Sequence, residues 1–266
     1  MSKSYTNEVK DKIVELYLKE HKNTAEIAKM FNTYNTTIRR ILIERKVPLI
    51  SIKERLQKVA LDNIKNQEGS SDFDYFLGIL ATDGCITENR VVLDFSENNK
   101  EILDYWNTFL GNTCSIRCSI YKKYQVPQYR IAFRNQEICD YLGSFGITPR
   151  KSLTLKLKYI NWDVLRGIID GDGCITERNR ERTVSIEITS GSKIFLEQIQ
   201  QFLQDNNIKS YLNDRSTSSK ENNYVLSVHK SSDVLKIYDC LYQNAHFYLK
   251  RKKLKFGSLL KKFNRQ

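Results

Sequence analysis

Two aspartates, Asp83 and Asp172, are the residues of this chain best placed to do chemistry, because they stand in near-identical surroundings. Gly78-Ile79-Leu80-Ala81-Thr82-Asp83-Gly84-Cys85-Ile86-Thr87-Glu88 overlies Gly167-Ile168-Ile169-Asp170-Gly171-Asp172-Gly173-Cys174-Ile175-Thr176-Glu177, with eight of eleven positions identical at a constant offset of 89. The apolar pattern predicts helices over Asp74 to Thr82 and Asp163 to Gly171, which puts each aspartate in a last helical turn. A carboxylate there faces the negative end of the helix dipole, at a cost of about 0.3–1 kcal/mol. One such residue is accounted for by an Asp-Gly turn. Two, at matching positions of a duplicated segment, call for a compensating partner. A hard divalent cation such as Mg²⁺ or Mn²⁺, which seeks oxygen ligands, would supply one. Gly78 and Ala81, and Gly167 and Gly171, give each helix a smooth side on which two backbones can approach and bring the carboxylates together.

The elements that would hold these aspartates form two copies of one unit. Val92-Leu93-Asp94-Phe95-Ser96 resembles Ser185-Ile186-Glu187-Ile188-Thr189, and Ile102-Leu103 and Phe109-Leu110 match Phe195-Leu196 and Phe202-Leu203, all at an offset of 93. Arg150-Lys151 has a counterpart in Arg251-Lys252. Two copies of this length are too few and too long for a solenoid and predict a pseudo-twofold pair. Asn161 is placed to cap the second motif helix. Gly84 and Gly173 suit helix C-termini, where glycine takes the left-handed conformation cheaply. Thr183 to Thr189 alternates in polarity, as do Ser115 to Tyr121 and Gln128 to Arg134, with Val126-Pro127 at the turn. Each unit therefore reads helix, hairpin, helix, hairpin, helix, an α+β architecture with antiparallel sheets.

Composition points to a polyanionic partner. The formal net charge of the 266 residues is +12 and the pI is about 9.3, and neutralising phosphates releases counterions and drives binding. From Phe247 to Gln266 there are eight basic residues, Lys250, Arg251, Lys252, Lys253, Lys255, Lys261, Lys262 and Arg265, and no acid. The Met1-Ser2-Lys3-Ser4-Tyr5 start has no apolar core and no apolar run approaches the ~18 residues of a membrane span. Neither secretion nor membrane insertion is expected, and the protein is placed in the cytoplasm or wherever its target DNA lies. The six cysteines form no CxxC pair, so they read as buried or reduced thiols rather than a zinc site.

Residues 1–50 carry a helical pattern of their own. Asn7 to Glu20 reads as a first helix with Val9, Ile13, Leu16 and Tyr17 on one face, Thr24 to Phe31 as a second, and Asn35 onward as a third after an Asn32-Thr33-Tyr34 turn. This module resembles the helix-turn-helix domains of transposases and regulators. The resemblance puts the third helix in a DNA major groove, with Asn35, Thr36, Thr37, Arg39 and Arg40 within reach of bases or phosphates. A helical linker over residues 51–71 ends in the polar break Gln67-Glu68-Gly69-Ser70-Ser71-Asp72. The two repeats then occupy residues 72–160 and 161–266.

Phe76 to Gly84 and Leu165 to Gly173 resemble the paired motifs of monomeric LAGLIDADG homing endonucleases, and the segments around Arg150-Lys151 and Arg251-Lys252 resemble the basic stretches later in each family repeat. The resemblance spans about Asp72 to Phe263. It implies that the motif helices form the interface between subdomains and that Asp83 and Asp172 hold catalytic metal. It makes Lys151 and Lys252 candidates for steadying the attacking water or the phosphorane charge, or else phosphate contacts. The implied activity is metal-assisted hydrolysis of a long double-stranded DNA target with a staggered break, by a monomer. On the sheets, Arg130 and Arg134 share a face with Ala132, and with Arg117, Arg150 and Arg251 they are the candidate DNA contacts. Ala81 replaces the acidic Asp170 of the second motif, a departure not expected to abolish activity, and Arg166 is expected to point to solvent. An RNA maturase acting on intron RNA and a non-cleaving DNA-binding regulator are the alternatives. Without a His-Asn splice terminus, an intein-embedded nuclease is not expected.

Overall fold

The fold was analysed in a computed structural model that describes residues 5–121, 125–178, 183–217 and 222–263. Met1 to Ser4 and Arg265 of the basic tail lie outside them. The chain divides into two compact units, Met1–Asp62 and Asn63–Gln266.

In the smaller unit, α1 (Asn7–Leu18), α2 (Thr24–Met30) and α3 (Asn35–Glu44) enclose a core of Ile13, Leu16, Tyr17, Ile27, Ala28, Ile38, Ile41, Leu42 and Val47. Local chemistry sets the boundaries. Asn23 and Glu26 form a reciprocal capping box on α2, which satisfies backbone donors that a helix start otherwise leaves open. Asn32 takes a left-handed φ of 47° in the turn before α3, a conformation Asn tolerates better than most residues.

α4 (Ile52–Asn66) crosses the boundary between units, which falls at Asp62–Asn63 rather than at the polar break from Gln67 to Asp72. The reason is packing. Ile64 is buried, Lys65 lies over the Tyr141 ring, the Gln67 side chain donates to Phe109 O, and the Tyr141 hydroxyl donates to Glu68, so the segment after Asn63 already belongs to the larger unit.

The larger unit follows the anticipated order twice. α5 (Ser71–Thr82), β1 (Cys85–Thr87), β2 (Arg90–Ser96), α6 (Lys100–Phe109), β3 (Arg117–Tyr121), β4 (Val126–Arg134) and α7 (Gln136–Gly143) form the first copy. α8 (Trp162–Gly171), β5 (Cys174–Arg178), β6 (Thr183–Ser190), α9 (Lys193–Asp205), β7 (Tyr211–Asp214), β8 (Tyr224–Val228) and α10 (Ser231–Tyr242) form the second, followed by α11 (Lys250–Phe263). Both sheets are four-stranded and antiparallel, ordered β1-β2-β4-β3 and β5-β6-β8-β7. One face of each carries the core: Val91, Leu93, Phe95 and Ile131 in the first, Val184, Ile186, Ile188, Leu226 and Val228 in the second. Among the described residues no helix is long and apolar enough to cross a membrane.

Three expectations are corrected. Arg166 is 1% exposed. Its guanidinium is bound by Asp163, by Ser71 Oγ at 3.1 Å and by Leu241 O at 3.4 Å, and lies over the Tyr75 ring. The motif helices pack on one another and on α10, so the helix has no solvent side at that position. Gly84 and Gly173 are not among the positive-φ residues. A β-carbon on Gly84 would lie 2.5 Å from Leu80 O, and one on Gly173 would lie 2.6 Å from Ile169 Cα. These glycines serve close packing as the chain leaves the helix, not a left-handed turn. Val126 and Pro127, expected at the turn, instead pair with Tyr121 and Ile120 at the start of β4.

Candidate active site

The site is built on the contact between α5 and α8. Ser70 caps α5 by accepting from Phe73 N, and Asn161, as anticipated, caps α8 by accepting from Val164 N. At the crossing, a β-carbon on Gly78 would fall 2.2 Å from Val164 O, and one on Gly167 would fall 2.1 Å from Tyr75 O. Backbone therefore lies on backbone, and any side chain here would hold the helices apart.

The close crossing carries the two C-terminal ends together. Asp83 and Asp172 are the C-cap residues of α5 and α8, both in right-handed helical conformation. A β-carbon on Gly171 would meet Thr82 Oγ1 at 2.1 Å and Asp83 Oδ2 at 2.5 Å. The first copy thus fits its Thr82 and Asp83 into space left by the second copy's glycine. The Thr82 hydroxyl, with one proton to give, lies 3.0 Å from Asp83 Oδ2 and 3.1 Å from Ile79 O. Thr82 is a site residue that sequence reasoning passed over; the Thr82/Gly171 mismatch within the repeat was its signal.

Electrostatics distinguish the carboxylates. Burial, and then the charge of Asp172, push the Asp83 pKa up, against the opposing pull of the Thr82 hydroxyl, Lys252 and Lys151. Burial pushes Asp172 up as well, opposed by Lys252 and Lys151. Asp83 is half-buried whereas Asp172 is exposed by accessible surface.

Lys151 and Lys252 stand behind the aspartates, each 8% exposed. Lys151 follows Arg150, which takes a left-handed φ of 58°, and its ammonium donates to Gly84 O at 2.6 Å. Lys252, on α11, donates to Ile169 O at 2.6 Å and to Gly171 O and Gly173 O at 2.9 Å. Three acceptors match the three protons of an ammonium. Lys252 therefore closes the C-terminus of α8, where orphan carbonyls need donors. Burial lowers its pKa to about 8, with Asp170, Asp83 and Asp172 holding it up. Burial lowers Lys151 too, opposed by Cys85, Asp172 and Asp83.

Asp170, the residue that Ala81 replaces in the first motif, faces inward. It accepts from the Tyr75 hydroxyl at 3.0 Å and from Leu249 N at 2.7 Å, so it ties α5 to α8 and anchors the entry to α11. Burial raises its pKa to about 6 despite these bonds.

Arg117, Arg130 and Arg134 are exposed on the sheet face opposite the core. Arg150 is exposed, and Arg251 is exposed with its Nε donating to Asn99 Oδ1 at 2.8 Å. In the smaller unit Asn35, Thr36, Arg39 and Arg40 are exposed along α3, and Thr37 is half-buried.

A half-buried and an exposed carboxylate fit a hard cation as donors, since Mg²⁺ is typically held by one or two carboxylates plus water and phosphate oxygens. No cluster of three or more His, Cys, Asp or Glu side chains exists among the described residues, so the protein would supply only part of the coordination.

Residues 163–240 match the LAGLIDADG-like domain family. No curated protein sequence matches the chain. Among solved structures, it is similar to the LAGLIDADG homing endonuclease I-GzeII in complex with its DNA target, with 12% identity over 71% of this chain and 89% of that one, at a TM-score of 0.50. It is also similar to the LAGLIDADG meganuclease I-AabMI bound to uncleaved DNA, with 15% identity, 70% and 89% coverage, and a TM-score of 0.50. The chain therefore carries a LAGLIDADG-like domain in its second repeat, and its mixed α+β architecture is the LAGLIDADG fold.

Proposed function

We propose that this protein is a site-specific, divalent-metal-dependent DNA endonuclease that makes a staggered double-strand break in a long target, acting as a monomer. The observation that carries the proposal is the pair of C-cap aspartates, Asp83 and Asp172, delivered to one place by a glycine-on-glycine helix crossing. Structures of the same fold bound to DNA support duplex DNA as the partner.

Asp83 and Asp172 would hold Mg²⁺ or Mn²⁺, which when bound supplies Lewis-acid polarisation of phosphate and water. The chain's own contribution is positional. Lys252 fixes the carbonyls at the end of α8 and so fixes Asp172 on that end. Lys151, which donates to the one carbonyl of Gly84, is the lysine with protons left for water or phosphate, and Lys252 acts through the backbone. In the smaller unit, α2 and α3 would act as a helix-turn-helix, with Asn35, Thr36, Thr37, Arg39 and Arg40 meeting DNA.

The test is incubation of the protein with a large randomised duplex library, with Mg²⁺ and with EDTA, followed by sequencing of new ends. Mg²⁺-dependent ends that share one long sequence are expected. Asp83→Asn and Asp172→Asn should each suppress double-strand cleavage and retain binding; full cleavage by either would remove the catalytic assignment. DNA retention with no new ends would favour the regulator, and selectivity for structured intron RNA alone would favour the maturase.

A further inference from the structure

Asp83 and Asp172 stand at matching positions, but the residues before them differ. Thr82 precedes Asp83, and Gly171, its counterpart at the offset of 89, precedes Asp172. A threonine in the last turn of a helix can turn its hydroxyl back onto the carbonyls three and four residues earlier. Thr82 does so, with Oγ1 at 3.1 Å from Ile79 O and 3.3 Å from Gly78 O. The same rotamer brings Oγ1 to 3.0 Å from Asp83 Oδ2. An ionised carboxylate has no proton to give, so the hydroxyl is the donor, and a charged acceptor outbids a neutral carbonyl for its one proton. Among the described residues this is the one hydrogen bond to the Asp83 carboxylate.

Packing keeps the hydroxyl in place. Thr82 rests against Gly171, where a β-carbon would fall 2.1 Å from Thr82 Oγ1 and 2.8 Å from Thr82 Cβ. The side chain missing from α8 is therefore the seat of the hydroxyl on α5. Gly171, in turn, has no hydroxyl to offer Asp172.

Groups that hydrogen-bond a metal-ligating side chain fix its orientation, and their loss typically costs about 10–100-fold in metal affinity or activity. We infer that Thr82 is a positioning residue of the first motif: its hydroxyl holds Asp83 Oδ2 and leaves Oδ1 for a divalent cation, a service that Gly171 cannot give Asp172. The two cuts of a double-strand break, divided between two carboxylates, are then unequal in what they depend on. The strand served by Asp83 needs the Thr82 hydroxyl, and the strand served by Asp172 does not. This inference rests on the reading of Asp83 and Asp172 as metal-holding carboxylates and deepens it.

The test has two readouts. In the first, Mn²⁺ is titrated into the full-length protein and the free ion is followed by electron paramagnetic resonance, for the parent, Asp83→Asn, Thr82→Val and Thr82→Ser. Valine keeps the shape and loses the hydroxyl, whereas serine keeps the hydroxyl and loses the methyl. Asp83→Asn should weaken binding, Thr82→Val should raise the Kd about 10-fold, and Thr82→Ser should bind as the parent does. The second readout is cleavage of the duplex recovered from the randomised library, labelled on each strand in turn. Thr82→Val should slow one cut about 10-fold and leave the other at the parent's rate, so that nicked duplex accumulates. Parent-like Mn²⁺ binding by Thr82→Val, a serine variant as weak as the valine variant, or equal slowing of both cuts would overturn the inference and leave the metal-holding carboxylates standing. Parent-like binding by Asp83→Asn would overturn that reading as well. Because serine also removes packing, its rescue separates the hydroxyl from any loss of folding, which urea midpoints of all four proteins record.

Discussion

Gly78 and Gly167 face one another so closely that a β-carbon on Gly78 would lie 2.9 Å from Gly167 Cα. Everything at the candidate site descends from that contact, because it sets how near the ends of α5 and α8 can come.

Gly78→Ala should therefore be disruptive. Its added carbon meets backbone, at 2.2 Å from Val164 O, and backbone cannot rotate away as a side chain can. Overpacking costs about 1–3 kcal/mol or more. Gly143→Ala, where nothing lies within 4 Å of the new carbon, should be neutral or stabilising by up to about 1 kcal/mol. Urea denaturation of the pair checks this; equal midpoints would contradict the close crossing.

The buried Asp170 gives the fold a pH dependence. Its folded pKa is raised to about 6, so the folded state binds its proton more tightly than the unfolded state does. Stability contributed by the neutral carboxyl is complete at low pH and is lost as pH rises from about 4 to 6, by on the order of 3 kcal/mol for a two-unit shift. Asp170→Asn, measured by denaturation in EDTA from pH 4 to 7, should be flatter across that window than the parent. Parallel curves would mean that Asp170 does not titrate there.

The two lysines should differ in structural weight. Lys252 serves three backbone carbonyls and Lys151 one, and leaving a buried acceptor unsatisfied costs about 1–3 kcal/mol. Lys252→Met should lower stability by more than Lys151→Met, as read from unfolding midpoints without metal. A larger loss for Lys151→Met would reverse the assignment of Lys252 as the positioning residue.

On α3, Arg39→Ala should weaken binding to any duplex and lower the slope of log affinity against log salt by about 1 if Arg39 meets phosphate. Loss of preference at a single base pair instead would make it a base contact. Unchanged affinity and slope would remove α3 from the interface.

Much of this architecture is legible in the amino-acid sequence. The offset of 89 across Gly78 to Glu88 and Gly167 to Glu177 announced the duplication, period-two alternation marked β4 and β6, and Asn161 declared its cap, because all of these are local patterns that backbone geometry imposes on nearby residues. What only tertiary structure decided lies between distant segments. Arg166 is solvent-facing by helix pattern and buried in fact, since its neighbours Ser71 and Leu241 come from elsewhere in the chain. Lys252 reads as a generic basic residue until three carbonyls of another helix converge on it. The facing of Arg90 with Arg134 and of Arg117 with Arg130 depends on register between strands, which pairing partners and turn lengths set together. Periodicity within one strand shows which residues share a face, but it carries no information about what lies across the ladder.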